Sequence, residues 1–268
     1  MTKTELNIHH SEELDRGLAY GEACFETFRV IHGEIFGWAQ HAARLTGGLA
    51  EFGIELSDAQ LISIYKESVI AAVSSGDDAL VRITLSGGVA RWGLKSASNG
   101  VGLYIQSQPY ASPSEPVVLQ SVTWPFALNS KSAKFSSDYS DTLRACQIWK
   151  NEGLESIIMP MICSKGDILS TMTANVMIYH DEKWYTPESE TGGVLPGVIR
   201  NHLVINAAVQ VVRCPQIWVD ECEAIALTNS VVFVQPVNSI DGRELNVSHD
   251  AFEELYRAIR DESGAPKF

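Results

Sequence analysis

Residues 108–116 read QPYASPSEP and place three prolines among small polar residues, between two more apolar parts of the chain. Proline has no backbone N–H and cannot donate to the hydrogen-bond ladder of a strand. Such a composition is typical of a connecting segment. We therefore expect a first domain at residues 1–109, a linker at 110–117, and a second, larger domain at 118–268.

The chain before the linker alternates between strand and helix signals. Short β-rich runs predict strands, and apolar residues at helical spacing predict helices. In chain order we expect strands at 25–31 (FETFRVI) and 34–38 that turn at His32-Gly33, helices at 39–52 and 58–73, and strands at 79–85 and 100–106. These elements predict a small α+β domain.

The chain after the linker repeats this alternation over a longer stretch. Its short, β-branched strands are suited to a curved, barrel-like sheet. We expect strands at 117–122, 155–161, 176–180, 225–228 and 231–237, and helices at 141–151, 197–211 and 250–261. The predicted fold class is α/β, with a small α+β domain followed by a larger domain built on this sheet.

Composition narrows the possible partners. The 268 residues carry a formal net charge of -13, which argues against nucleic acid, because its binding depends on basic surface. No apolar run approaches the roughly 20 residues of a membrane helix, and the polar, acidic N-terminal stretch does not resemble a signal peptide. We expect a cytoplasmic protein. Its five scattered cysteines predict neither a metal site nor a disulfide framework.

A series of short segments carries the information on chemistry, because their order and spacing are more specific than any one of them. The segments are Asp15-Arg16-Gly17, Tyr20-Gly21-Glu22, Phe25-Glu26-Thr27 with Arg29, His41–Leu45, Arg82 with Gly87-Gly88 and Arg91-Trp92-Gly93, Lys134–Tyr139, Asn175, Thr186-Pro187, Leu195–Arg200, Thr228-Asn229-Ser230, Pro236-Val237 and Ile240-Asp241-Gly242. This series resembles the class IV aminotransferases, a family that includes branched-chain and D-amino acid aminotransferases and aminodeoxychorismate lyases.

The resemblance implies pyridoxal 5'-phosphate (PLP) as the cofactor and Lys134 as the lysine that carries it. That amine must lose its charge near neutral pH, through burial or cationic neighbours. The family positions also assign the phosphate to Arg44, to the backbone N–H groups of Val198 and Ile199 at a helix start, and to Ser230. Many members have threonine where Ile199 stands, so we expect one hydroxyl contact fewer.

Further roles follow from the same resemblance. Tyr139 is expected to hydrogen-bond the phenolate oxygen of the cofactor. Asn175 is expected to be a further residue of the cofactor site. Phe25 and Val231 are expected beside a small amino substrate, and Arg91 is a candidate for the substrate carboxylate, since a guanidinium matches that group. The family also implies a homodimer.

One departure from the family pattern affects the expected reaction. Ser170 lies five residues before Asn175, where the family has a glutamate that holds the pyridine nitrogen protonated. Serine is neutral and cannot keep a charge on that nitrogen by ion pairing. The pyridine ring of the cofactor is then a weaker electron sink. Asp167 is nearby in sequence, but a shift of three residues along a strand changes its face.

Three hypotheses remain open. The first is a lyase resembling aminodeoxychorismate lyase, an enzyme of folate biosynthesis. Its product is aromatic, and the driving force of aromatisation allows the reaction to proceed with a cofactor ring that withdraws electrons less strongly. The second is an aminotransferase for a small, branched-chain or D-amino acid, which depends more strongly on the sink. The third is a PLP-free homologue with a binding or regulatory role, against which the lysine, arginine and phosphate-loop residues argue.

Overall fold

Before the expected linker, the chain folds around a three-stranded antiparallel sheet. The computed structural model describes residues 9–128, 132–155, 158–188, 192–260 and 262–266. The elements up to Pro109 are β1 (Glu13–Asp15), α1 (Arg16–Tyr20), β2 (Ala23–Ile31), α2 (Trp38–Ala50), α3 (Asp58–Val73), β3 (Asp78–Ser86), β4 (Val89–Arg91) and β5 (Gly102–Pro109). The sheet has the order β2-β3-β5, and β1 pairs separately with β4.

The residue pattern of β3 explains why this sheet has one covered face. Along β3, buried residues alternate with partly buried ones, which is the period of two expected of a strand packed on one side. Val81 and Ile83 share one core with Leu45 and Leu49 of α2 and with Ile64 of α3. The two helices therefore cover the same face of the sheet.

After the expected linker, the chain builds a larger mixed sheet. Its elements are β6 (Val118–Thr123), α4 (Asp138–Asn151), β7 (Met159–Ser164), β8 (Asp167–Thr171), β9 (Asn175–His180), β10 (Lys183–Pro187), α5 (Val198–Asn206), β11 (Gln210–Val212), β12 (Cys214–Pro215), α6 (Trp218–Glu221), β13 (Ala224–Asn229), β14 (Phe233–Pro236), β15 (Ser239–Ile240), β16 (Arg243–Glu244) and α7 (Phe252–Arg260). The main strand order is β11-β10-β9-β8-β7-β6-β15-β16, with β13 joining β9 to β14 and β12 pairing with β8.

Strand β9 lies at the centre of this sheet and is covered on both faces. It pairs antiparallel with β8, β10 and β13. Val176, Met177 and Ile178 are fully buried: Met177 packs with Leu203 of α5 and Leu255 of α7, whereas Val176 and Ile178 belong to the core on the other face. The predicted α/β fold class is confirmed, whereas the domain limits stay a prediction.

One predicted strand of the first region is wrong. Residues 34–38 contribute only an isolated bridge between Ile31 and Glu34, and α2 already begins at Trp38. The turn at His32-Gly33 is present, with both residues at positive φ. Gly37 then adopts a φ of 62° before the helix, a left-handed conformation that interrupts extended backbone.

Two predicted boundaries in the second region also differ. The helix expected at 197–211 ends at Asn206, because Ala208 takes a φ of 47° and residues 210–212 form β11, parallel to β10. Of the strand expected at 155–161, residues 156 and 157 lie outside the described residues, and the described strand runs from Met159 to Ser164. Within the described residues, no helix is long and apolar enough to cross a membrane.

Candidate active site

Backbone pairing fixes the position of the lysine segment. The N–H of Phe25 in β2 donates to the carbonyl oxygen of Lys134 at 3.0 Å, and the N–H of Ser136 donates to the carbonyl oxygen of Ala23 at 2.9 Å. These two bonds attach a segment from after the linker to a strand from before it. The Lys134 side chain then lines two adjoining clefts.

The Lys134 amine has an unusually low proton affinity. Burial lowers its pKa from 10.5 to about 8, Glu26 opposes the change, and the cations of Arg44 and Arg82 lower it further. The amine also lies 5.6 Å from the ring centroid of Phe25. A substantial fraction of this lysine is therefore neutral near pH 8 and able to act as a nucleophile or base.

A buried ion pair holds Arg44 at the edge of the first cleft. Its Nε and Nη2 donate to the two carboxylate oxygens of Glu26, each at 2.7 Å, and its Nη1 donates to the carbonyl oxygen of Pro196 at 2.9 Å. Of the five N–H groups of a guanidinium, these bonds leave two for a ligand. Removing one partner of such a pair generally costs about 3–5 kcal/mol.

His41 completes the environment of Glu26. Its Nδ1 lies 2.7 Å from the Glu26 carboxylate, and its Nε2 is buried without a partner among the described residues. Burial lowers the pKa of His41, so the ring is neutral. With its single proton assigned to Nδ1 by this hydrogen bond, His41 and Arg44 together lower the pKa of Glu26 to about 2 despite its burial.

The start of helix α5 lies beside Arg44, which donates to the carbonyl oxygen of Pro196 just before the helix. Val198 is the first residue of α5 and lines the cleft together with Gly197, so unpaired N–H groups of the first turn are available there. Asn175 donates through Nδ2 to the Leu195 carbonyl oxygen at 2.9 Å. A side chain at Gly197 would place its Cβ 2.0 Å from Asn175 Oδ1, so this approach requires glycine.

The floor of the first cleft is a row of neutral polar side chains. Ser170 of β8 and Thr228 of β13 each pair with Asn175 of β9, and all three are at least nine-tenths buried. The Thr228 hydroxyl has no hydrogen-bond partner among the described residues. A ligand with a polar edge can supply the missing partner.

Seven of the eight expected cofactor residues meet in this first cleft. It encloses about 740 Å³ of empty space, including space open to solvent. Among the described residues that line it, Asp138 is the one carboxylate. The expected residues that line it are Arg44, Tyr139, Ser170, Asn175, Val198 and Ser230, together with Lys134. Ile199 is fully buried behind them.

The second cleft lies on the other side of Lys134 and is wider, at about 1330 Å³ including open space. Phe25, Val231 and Arg82 line it. The Arg82 guanidinium stacks 3.7 Å from the ring centroid of Phe25, and Tyr139 meets the same ring edge-on at 5.2 Å. Burial lowers the pKa of Arg82, and it forms no ion pair within the described parts of the chain.

Arg91 lies away from both clefts within this chain. Its side chain is 76% exposed and 4.0 Å from Glu12, in a separate surface cleft. The cation that faces the second cleft is Arg82, whose role the sequence analysis did not assign. The available signal was a single arginine in the middle of β3, between the apolar residues Val81 and Ile83. The sequence analysis also named Glu26 as part of a motif and assigned it no role.

The comparisons with known proteins bear on the family and the fold of the chain. The family model of the amino-transferase class IV family matches residues 23–240, a span that contains every expected cofactor and substrate residue. No curated protein gives a significant sequence match.

Solved structures of related fold cover nearly the whole chain. A Legionella pneumophila protein provisionally named a 4-amino-4-deoxychorismate lyase is 22% identical, covers 96% of this chain and 94% of its own, and has a TM-score of 0.76. The branched-chain amino acid aminotransferase of Escherichia coli is 16% identical over 90% and 86%, with a TM-score of 0.77. A hypothetical aminotransferase from Mycobacterium tuberculosis in its PLP-bound form is 17% identical over 96% and 94%, with a TM-score of 0.73. At these identities the likeness shows the fold.

The pKa of Lys134 leads to a prediction about pH. A neutral amine reacts with an aldehyde and a protonated one does not, so capture of PLP by the cofactor-free protein should rise with pH. With a pKa of about 8, we expect the capture rate to increase between about pH 6.5 and 9 and then level off. Borohydride trapping at a series of pH values measures it. A midpoint near 10.5 would show a solvated amine and contradict the burial described above.

Proposed function

The chain belongs to the class IV aminotransferase family, whose enzymes depend on PLP, and from this premise we propose that it is a PLP-dependent lyase. The proposed reaction converts 4-amino-4-deoxychorismate to 4-aminobenzoate and pyruvate. The observation that carries the proposal is the position of Lys134: its desolvated amine lies between a cleft with donors for a phosphate and a cleft with a cation for a carboxylate.

The first cleft fits the cofactor. Two N–H groups of Arg44, the first amides of α5 and the Ser230 hydroxyl are suited to a phosphate, because a helix start and a guanidinium both favour an anion. Lys134 would supply the amine that holds the cofactor through its aldehyde carbon. Burial raises the pKa of Tyr139, so its hydroxyl stays protonated and can donate to the phenolate oxygen.

The second cleft fits the substrate. We assign the carboxylate of the substrate to Arg82, which has no ion-pair partner among the described residues and is partly desolvated. An incoming carboxylate would restore the charge balance that this cation lacks. Phe25 and Val231 supply apolar contacts for the ring.

The neutral floor of the first cleft favours the lyase over an aminotransferase. When bound, PLP draws electron density from the substrate carbon next to its nitrogen and stabilises negative charge there. By family position Ser170 would face the pyridine nitrogen, and a hydroxyl cannot hold a proton there by ion pairing. The carboxylate of Asp138 belongs to α4 and not to the floor. Formation of an aromatic ring supplies driving force that compensates for a weaker sink.

Lys134 is the residue that moves the proton. Its neutral amine removes a proton from the substrate ring, and the C–O bond to the enolpyruvyl group breaks. The leaving oxygen keeps the electron pair, and the released enolpyruvate takes up a proton and becomes pyruvate. The ring then becomes aromatic 4-aminobenzoate, so no oxidant or second substrate is required.

Lys134→Ala tests the central assignment. We expect the visible absorbance of the PLP-loaded protein to disappear and lyase activity to fall by at least about 10³-fold, since an essential base contributes on that scale. The matched control is Lys150→Ala, at an exposed position of α4, which should keep both properties. A band that persisted in Lys134→Ala would indicate another lysine, for example Lys131, which lies outside the described residues.

The same assays separate the three hypotheses. Release of 4-aminobenzoate and pyruvate in equal amounts from the unmodified protein supports the lyase. Transfer of an amino group from an amino acid to a keto acid, without 4-aminobenzoate, would replace it with an aminotransferase. Absence of any visible band after incubation with PLP would favour the PLP-free hypothesis.

Arg82→Gln tests the carboxylate contact. Loss of a charge-assisted hydrogen bond typically costs about 1.5–3 kcal/mol, so we expect KM for the substrate to rise by about 10- to 100-fold. The retention of PLP, measured by absorbance after dialysis, should not change. The control is Arg91→Gln, which removes an exposed guanidinium. If Arg91→Gln raised KM and Arg82→Gln did not, the assignment would be reversed.

We also propose a homodimer that uses the surface around α1 and β4. Leu18 is 76%, Trp92 94% and Leu94 73% exposed, and Arg16 joins their segments by donating to the carbonyl oxygen of Leu94. Three large apolar side chains exposed together are typical of an interface.

Sedimentation velocity tests the dimer with Trp92→Asp. Burial of a carboxylate in an apolar contact is unfavourable, so this variant should sediment as a monomer where the parent protein sediments as a dimer. Ile62→Asp changes an equally apolar exposed residue on α3 and should leave the dimer intact. Identical sedimentation of parent and Trp92→Asp would exclude this surface.

A further inference from the structure

We propose that Arg29 is a positioning residue that holds two walls of the second cleft in place, the linker that follows Pro109 and the loop Asn229–Phe233. The inference rests on the proposed function in one respect, that the second cleft receives the substrate. Arg29 itself lines neither cleft, so it acts through the segments that it contacts.

The contacts of Arg29 reach three separate parts of the chain. Its side chain is 7% exposed and forms a bidentate pair with Asp78 of β3, in which Nε donates at 2.8 Å. Its backbone N–H donates to the Ser230 carbonyl oxygen at 3.1 Å, and Nη1 donates to the Val231 carbonyl oxygen at 3.3 Å. One face of the guanidinium stacks 3.7 Å from the ring centroid of Tyr110.

Two sets of contacts hold the loop, one through its N–H groups and the other through its carbonyl oxygens. Asn229 Oδ1 accepts the N–H groups of Val231 and Val232, at 2.8 and 2.9 Å. The carbonyl side of the loop faces Arg29. Phe233, where β14 begins, has a φ of 60°, a left-handed conformation that a bulky residue adopts only when its surroundings impose it.

The linker depends on Arg29 through Tyr110. The N–H of Tyr110 donates to the carbonyl oxygen of Asp78 at 3.0 Å, and its ring lies against the guanidinium whose other contacts are with Asp78 and the loop. The residues that follow form a wall of the second cleft. They are Pro113, Glu115, Pro116 and Val117.

Arginine is suited to this role, and lysine is not. A planar guanidinium can stack on a ring with one face while its edge donates in several directions, whereas an ammonium is a point charge without such a plane. Arg29→Lys should therefore keep the positive charge beside Asp78 but release the linker and the loop together.

Hydrogen exchange, resolved to single amides by NMR on the PLP-loaded protein, tests this coupling. In Arg29→Lys we expect the amides of Tyr110, Val231 and Val232 to exchange at least about tenfold faster. The amide of Leu227, in the centre of β13, should not change. Faster exchange at only one of the two segments, or at neither, would overturn the proposal.

A matched control and a second variant complete the experiment. Arg213→Lys alters another Arg–Asp pair, with Asp167, at a side chain that is 67% exposed, and should leave all these amides unchanged. Asp78→Asn keeps the shape of its side chain and removes the charge that orients Arg29. If Arg29→Lys does not fold, Asp78→Asn must still accelerate exchange at both segments, and its failure to do so would overturn the proposal.

A binding measurement separates positioning from general destabilisation. Titration of the PLP-loaded protein with 4-aminobenzoate, followed by cofactor absorbance, should show about tenfold weaker binding in Arg29→Lys, with PLP retained on dialysis. Unchanged binding would contradict the positioning role. Failure of the unmodified protein to take up PLP would instead contradict the proposed function, and the exchange experiment could still be carried out on the PLP-free protein.

Discussion

The backbone hydrogen bond from the Phe25 N–H to the Lys134 carbonyl oxygen joins the two regions of the chain, and the candidate active site depends on it. Lys134 follows the linker by sequence, but its segment is attached to β2, which precedes the linker. This attachment brings the amine against the ring of Phe25 and away from bulk water. This position explains the low pKa of the Lys134 amine. It also gives Lys134 access to both clefts.

The distribution of charge around Lys134 gives the site its preference for anions. The chain as a whole carries a net charge of -13, yet three cations, Lys134, Arg44 and Arg82, lie around the two clefts. The negative charge buried among them is that of Glu26, which Arg44 and neutral His41 hold in its ionised form. Arg44 keeps two N–H groups beyond its bonds to Glu26 and Pro196, and Arg82 has no ion-pair partner among the described residues, which supports the proposal of a phosphate in one cleft and a carboxylate in the other.

The neutral row of Ser170, Asn175 and Thr228 gives this member of the family a particular character. Cross-strand pairing of β8, β9 and β13 aligns these side chains at one level of the sheet. A floor of hydroxyl and amide groups can bind a polar ring edge without fixing a charge on it. The proposed lyase reaction is compatible with such a floor, because the aromatic product and not the electron sink provides most of the driving force.

The sequence by itself determined the fold class and the family, and it predicted a set of cofactor residues of which seven line one cleft. Apolar periodicity and the ordered motifs carry this information, because local spacing fixes which side chains share a strand face or a helix turn. Prediction of the element boundaries from sequence was wrong where the backbone conformation changes at a single residue. Gly37 interrupts a predicted strand, and Ala208 lies where a predicted helix has ended. Left-handed backbone at one position leaves little trace in a periodic pattern.

Only the tertiary structure decided which arginine faces the second cleft. The sequence made Arg91 the candidate for the carboxylate and gave no role to Arg82, although a guanidinium at either position can bind a carboxylate. Strand pairing brings Arg82 against Phe25, whereas Arg91 at the end of β4 extends into solvent. The same holds for Arg29, whose partners come from β3, the linker and the loop after β13. Contacts between segments so far apart depend on how sheets and loops pack in three dimensions, and residue spacing along the chain does not encode them.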